Sequence, residues 1–159
     1  MKHSNTQKIT FGGVIAALYV VLTLIANAFG LASGAVQVRI SEALTILPVF
    51  TSAAIPGLTV GCVLANLITG CAPWDVVFGS LATLLGAAGT RLLKEKPVLA
   101  WIPPVISNMA IIPIVLQRVY GVPDAWWYLV LTVGAGEVIS CGILGLLLYH
   151  SVKKLPQLR

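Results

Sequence analysis

Apolar residues run in long blocks along this chain, and short polar or Pro/Gly punctuation separates them. Six blocks predict six helices, at about residues 9–30, 41–54, 58–70, 74–91, 98–117 and 126–149. A Pro-Gly turn at Ile55-Pro56-Gly57 ends the second block. Ser41 followed by Glu42 suits that block's start: the hydroxyl can cap free N–H groups and the carboxylate meets the positive dipole end. Pro73 can open the fourth helix, with Asp75 in its first turn. Pro103, Pro104 and Pro113 predict a kinked fifth helix. The second and third blocks are short, which predicts a thinned bilayer or an indentation filled by water or ligand. The first block follows Lys2 and Lys8 and ends near Ala26-Asn27-Ala28, as a signal peptide does. It is longer than a typical secretory core, so it is expected to stay as an uncleaved span.

Composition turns these blocks into a fold class. Hydrophobic residues make up 58% of the chain and charged ones 9%, against about 25% charged in soluble domains. The expectation is an all-α integral membrane protein, one membrane domain over residues 1–159, built as a six-transmembrane-helix bundle. The net charge of +5 then records orientation and not nucleic-acid binding. Lys2, Lys8, Arg91, Lys94, Lys96, Lys153, Lys154 and Arg159 fall on one side, and Arg39 and Arg118 on the other. The positive-inside rule places both termini in the cytoplasm, in a multi-pass cell-membrane protein.

One carboxylate stands out against this background. Glu137 sits near the middle of the last block, about 16 Å from its Trp126 end at 1.5 Å per residue. That is close to the centre of a ~30 Å hydrocarbon layer, where an ionised acid facing lipid is costly. No basic residue is expected at the same depth to pair with it, which favours a ligand. Asn108 shares the midplane, whereas Gln37, Arg39, Glu42, Asn66, Trp74 and Asp75 are expected at the outer surface. Glu42 and Asp75 are explained by helix dipoles about as well as by binding. Polar groups from the outside to the middle, with apolar inner halves, predict a blind pocket open outward. Two amides and up to three carboxylates suit a guest rich in N–H donors, and Trp74 or Trp127 offers a flat face. Trp126 and Trp127 weigh more toward interface anchors.

On the first helix, Gly12/Ala16 and Gly13/Ala17 form two small-xxx-small pairs, balanced between internal packing and an external partner. Other chemistry is lacking. There is no phosphate loop, and no nucleophile with a histidine base, so no enzyme is expected. Cys62, Cys71 and Cys141 have no metal-ligand spacing and read as packing residues; no metal or cofactor is expected.

The run from Val36 to Ala87, with QVRISEALT, the Pro-Gly turn, LANL around Asn66 and DVVFGSLATLL from Asp75, resembles the QueT family. The resemblance implies a substrate-binding (S) subunit of an energy-coupling-factor (ECF) transporter. It implies six helices, a pocket near the outer face and a queuosine-precursor substrate such as queuine or preQ1, which are 7-substituted deazaguanines. Partners would be a membrane-embedded ECF coupling subunit and two ATPase subunits, docked through small residues of the first helix, here Gly12, Gly13, Ala16 and Ala17. A self-sufficient proton-coupled carrier and a non-transporting membrane partner are the competing readings. The carrier would call for an inverted repeat, and none is visible.

Overall fold

The computed structural model describes residues 5–31 and 36–154. Lys2, His3, Arg159 and part of the loop after the first helix lie outside the described residues. Among the described residues every regular element is helical, with no strand. The helices are α1 (Asn5–Ala28), α2 (Ala54–Ile68), α3 (Pro73–Leu92), α4 (Ile102–Arg118), α5 (Trp126–Glu137) and α6 (Gly145–Val152). A 3-10 segment, Ile40–Val49, stands between α1 and α2, and a π segment, Val138–Leu144, joins α5 to α6. Three helical stretches are long and apolar enough to cross a membrane: Asn5–Ala28, Pro97–Arg118 and Trp126–Val152.

Polarity is arranged from inside to outside in the reverse of a soluble domain. Large apolar side chains such as Val14, Leu18, Leu92, Ile106 and Leu147 face outward. Ser41, Glu42, Thr45, Ser80, Thr83, Asn108, Glu137 and Ser140 are buried. Such a surface is stable in hydrocarbon and would be a liability in water.

Successive helices pack on one another, and the 3-10 segment touches α1, α2, α3, the π segment and α6. It is the central pillar, buried from Ser41 through Ile46. Sequence predicts an α-helix here, but Pro48 lies inside the segment, and its ring and missing N–H oppose regular α bonding. At about 2.0 Å per residue, a 3-10 helix also reaches further than an α-helix of equal length. The expected Ser41 cap is absent: no side chain caps this helix, and Ser41 Oγ instead accepts a hydrogen bond from Thr23 Oγ1 at 2.9 Å. The far end is closed by Arg91, whose guanidinium donates to the Pro48 and Val49 carbonyls at 2.9 and 3.1 Å.

Other punctuation acts as its chemistry predicts. Pro73 opens α3 with Asp75 in its first turn. Pro103 and Pro104 fall in the first turn of α4, where a missing N–H costs nothing, so only Pro113 lies inside that helix. Gly30 and Gly70, at φ of 70° and 74°, end α1 and α2 in left-handed turns.

Small residues decide the α1–α2 contact. A β-carbon on Gly57 would come 2.6 Å from the Gly12 carbonyl oxygen, and one on Gly61 would come 3.0 Å from that of Ala16. The Gly12/Ala16 pair is therefore used internally. Gly13 has nothing within 4 Å of its β-position, and Ala17 is exposed, so the second pair faces outward.

Candidate functional site

A cavity of about 580 Å³ opens where the C-terminal ends of α1, α2 and α4 meet the start of α3. Tyr19, Arg39, Ser41, Asn66, Asp75 and Tyr120 are among its lining residues. Gln37, Arg39, Asn66 and Asp75, all singled out from sequence, thus share one wall system. Gly79 makes room for two of them, because a β-carbon there would meet Asn66 Nδ2 at 3.2 Å and Asp75 Oδ1 at 3.4 Å.

The rim is built around Tyr120, which sequence reasoning missed. Its hydroxyl donates to Asp75 Oδ2 at 2.8 Å and accepts from the Ala72 N–H at 3.1 Å. The loop that carries it folds back on α4: Val122 N donates to the Leu116 carbonyl, and Gln117 Nε2 to that of Asp124, at 3.1 and 2.8 Å. Partial burial, together with the adjacent Asp75, pushes the Tyr120 phenol up to about 12.

Beneath the cavity lies a second polar layer. Arg39 N donates to Ser140 Oγ at 3.1 Å, so the chain enters its 3-10 segment already lying along the α5–π rod. A β-carbon on Gly136 would collide with the Gln37 carbonyl; only glycine permits so close an approach. This descent carries Glu42 inward. Its expected place at the outer surface is corrected: Glu42 is 1% exposed, and reactive atoms of Glu42, Glu137 and Cys141 all lie within 4.8 Å of one another.

The cluster has defined partners and two open valences. Tyr19, itself a cavity-lining residue, donates its hydroxyl to Glu42 Oε1. Cys141 Sγ donates to Glu137 Oε2 at 3.2 Å, so it does more than fill space. Asn108 sits beside Glu137. Glu42 Oε2 and Asn108 Nδ2 are buried without a hydrogen-bond partner. An unmet acceptor and an unmet donor of this kind are costly. Arg39 lies within electrostatic reach of both carboxylates, which revises the expectation that no basic residue shares their depth. It forms no direct ion pair with them; among the described residues that contact belongs to Lys94 and Glu95. The spacing of Glu42, Glu137 and Cys141 could admit a cation, but the Arg39 guanidinium and the Asn108 N–H group oppose one.

Two expected stacking faces lie elsewhere. Trp74 is 62% and Trp127 63% exposed, stacked on Phe78 and edge-on to Tyr128 respectively, and neither lines the cavity. Both sit in the first turn of a helix on its outward face. Glu137 and Asn108 also lie behind the cavity surface and not on it, with Tyr19, Arg39 and Ser41 at the junction between the layers.

The family profile described as "QueT transporter" matches residues 9–154. Over 97 residues the chain is 36% identical to a protein of Lactococcus lactis subsp. cremoris (strain MG1363) named "Queuosine precursor transporter QueT". That alignment covers 60% of this chain and spans just over half, 56%, of the relative's length. No solved structure matches. The profile covers nearly the whole chain and describes transporters, not enzymes: this chain belongs to the QueT transporter family.

Proposed function

We propose that the chain is a substrate-binding subunit for uptake of a queuosine precursor, namely queuine, preQ1 or a related 7-deazaguanine, working with an ECF coupling module. The observation that carries this reading is the pair of layers just described: a cavity with a polar rim above a buried cluster that has an unmet acceptor and an unmet donor. A guanine-like edge presents a ring N–H beside an exocyclic amine, and carboxylates accept both. Glu137 is the acid for that edge, and Asn108 donates to the neighbouring carbonyl. Asp75 or Glu42 supplies the counter-charge for a cationic amine, while Asn66 and Arg39 complete the polar wall. The relative's name, a queuosine precursor transporter, supports the substrate class.

Six spans in one membrane domain, cytoplasmic termini and a pocket facing outward complete the proposal. Among the described residues Lys8, Arg91, Lys94, Lys96, Lys153 and Lys154 fall to the inner side on this reading, against Arg39 and Arg118 on the outer. For docking of the coupling subunit, Gly13 and Ala17 are the pair with open space above them; Gly12 and Ala16 are engaged with α2.

Reconstitution tests the division of labour. The chain alone in vesicles is expected to bind 7-aminomethyl-7-deazaguanine without accumulating it. Accumulation is expected once the coupling subunit, the two ATPases and ATP are added. Concentrative uptake by the chain alone, driven by a pH gradient, would establish the proton-coupled carrier instead.

A further inference from the structure

The geometry points to a two-ended site, in which Glu42 and Glu137 together read a neutral edge of the guest and Asp75 alone holds a cationic arm. This inference rests on the deazaguanine reading and settles the choice between Glu42 and Asp75 that the reading leaves open.

The inner end is defined by what is unmet. Glu42 Oε1 is taken by the Tyr19 hydroxyl, which fixes the carboxylate and leaves Oε2 as a buried, unpartnered acceptor. Glu137 supplies a second acceptor, with a carboxylate oxygen of each acid within 4.8 Å of the other. Asn108, 3% exposed, adds an N–H donor that faces Glu137 without a well-formed hydrogen bond. An array of two acceptors and a donor complements a guest edge with two adjacent N–H donors and one carbonyl. A lactam next to an exocyclic amine has that pattern. Glu42 has no role here as counter-ion to a distant amine, because Arg39 already supplies positive charge to both acids.

The outer end differs in chemistry. Asp75 lies at the cavity rim, held at Oδ2 by Tyr120, with the Asn66 amide adjacent over Gly79. No positive side chain is bonded to Asp75 among the described residues, so a cation from the guest can take that place. Tyr19 and Tyr120 are therefore positioning residues: each holds one acid by one oxygen and presents the other.

Binding of four ligands to purified protein tests the assignment: 7-deazaguanine, 7-deazahypoxanthine (which lacks the exocyclic amine), and the 7-aminomethyl and 7-cyano forms of 7-deazaguanine. The parent should prefer 7-deazaguanine over 7-deazahypoxanthine, and aminomethyl over cyano, by about 10- to 100-fold each. Glu42→Gln should erase most of the first preference and keep the second. Asp75→Asn should do the reverse. Tyr19→Phe, which keeps every charge, should weaken the first preference alone, and it covers the case in which Glu42→Gln does not fold. If the parent binds none of the four, the substrate reading itself falls. If it binds them but Asp75→Asn keeps the full aminomethyl-over-cyano preference, or Glu42→Gln changes both preferences equally, only the two-ended assignment is overturned.

Discussion

Gly136 is where the chain leading into the pillar crosses α5, and Gly136→Ala isolates that contact. The added methyl lands on the Gln37 carbonyl, a backbone atom that cannot rotate away. Overpacking of this kind costs about 1–3 kcal/mol. Displacing this segment also threatens the 3.1 Å bond from Arg39 N to Ser140 Oγ, worth about 0.5–1.5 kcal/mol. Alanine returns about 1 kcal/mol of helix propensity. The balance is a loss of about 1–3 kcal/mol, or roughly 3–10 °C in melting temperature for a chain of this size. A thiol-reactive fluorophore can follow unfolding in detergent, because Cys62 and Cys141 are buried. Gly13→Ala is the control: nothing lies within 4 Å of its β-position, so it should be neutral or slightly stabilising. The variant should also bind deazaguanine more weakly, since the shift separates Glu42 from Glu137. A Gly136→Ala protein that melts with or above the Gly13→Ala control would refute the close-approach argument.

Three further outcomes are expected. Arg91→Ala should lower the melting temperature by several degrees through loss of two charge-assisted bonds to Pro48 and Val49, with Arg91→Lys intermediate; equal melting of all three would contradict the clamp. Gly57→Leu should prevent stable folding, because Gly12 backbone occupies the space, whereas Gly13→Leu should fold, bind ligand and lose only coupled uptake; full uptake by Gly13→Leu would remove that face as the docking surface. The Tyr120 phenol, pushed up to about 12, binds its proton more tightly folded than unfolded, so its contribution is present below about pH 10. It is lost as pH rises toward 12. An absorbance titration of parent minus Tyr120→Phe should show this late midpoint, and an ordinary midpoint near 10 would speak against the Asp75 contact.

Much of the frame was legible because proline and glycine act locally. Pro73, Gly30 and Gly70 mark helix ends through backbone chemistry that needs no tertiary knowledge. Depth was harder to read. Counting along the chain places Glu42 near the surface, but the 3-10 pillar begins only after the chain has descended along Gly136 and Ser140. The clue was Pro48 within an otherwise helical run. The π segment directly after Glu137 had no sequence signal beyond its small residues, and such segments tend to mark functional positions. Tyr19 and Tyr120 carry no such signal: an isolated tyrosine in an apolar block reads as packing, and one in a short connector reads as surface. The outward faces of Trp74 and Trp127 could not be read either, because a hydropathy pattern gives a helix but not which face meets lipid. Of the two small-residue pairs on α1, spacing alone offered no choice; the positions of Gly57 and Gly61 supply it.

Equilibrium binding of 7-aminomethyl-7-deazaguanine to purified parent and Glu137→Gln protein probes the buried acid most directly. The parent should bind it well and reject adenine, and Glu137→Gln should lose at least about tenfold in affinity while keeping its melting temperature without ligand. Equal affinity of the two proteins would mean that the guest never reaches Glu137, and the site would then have to be redrawn around the cavity rim alone.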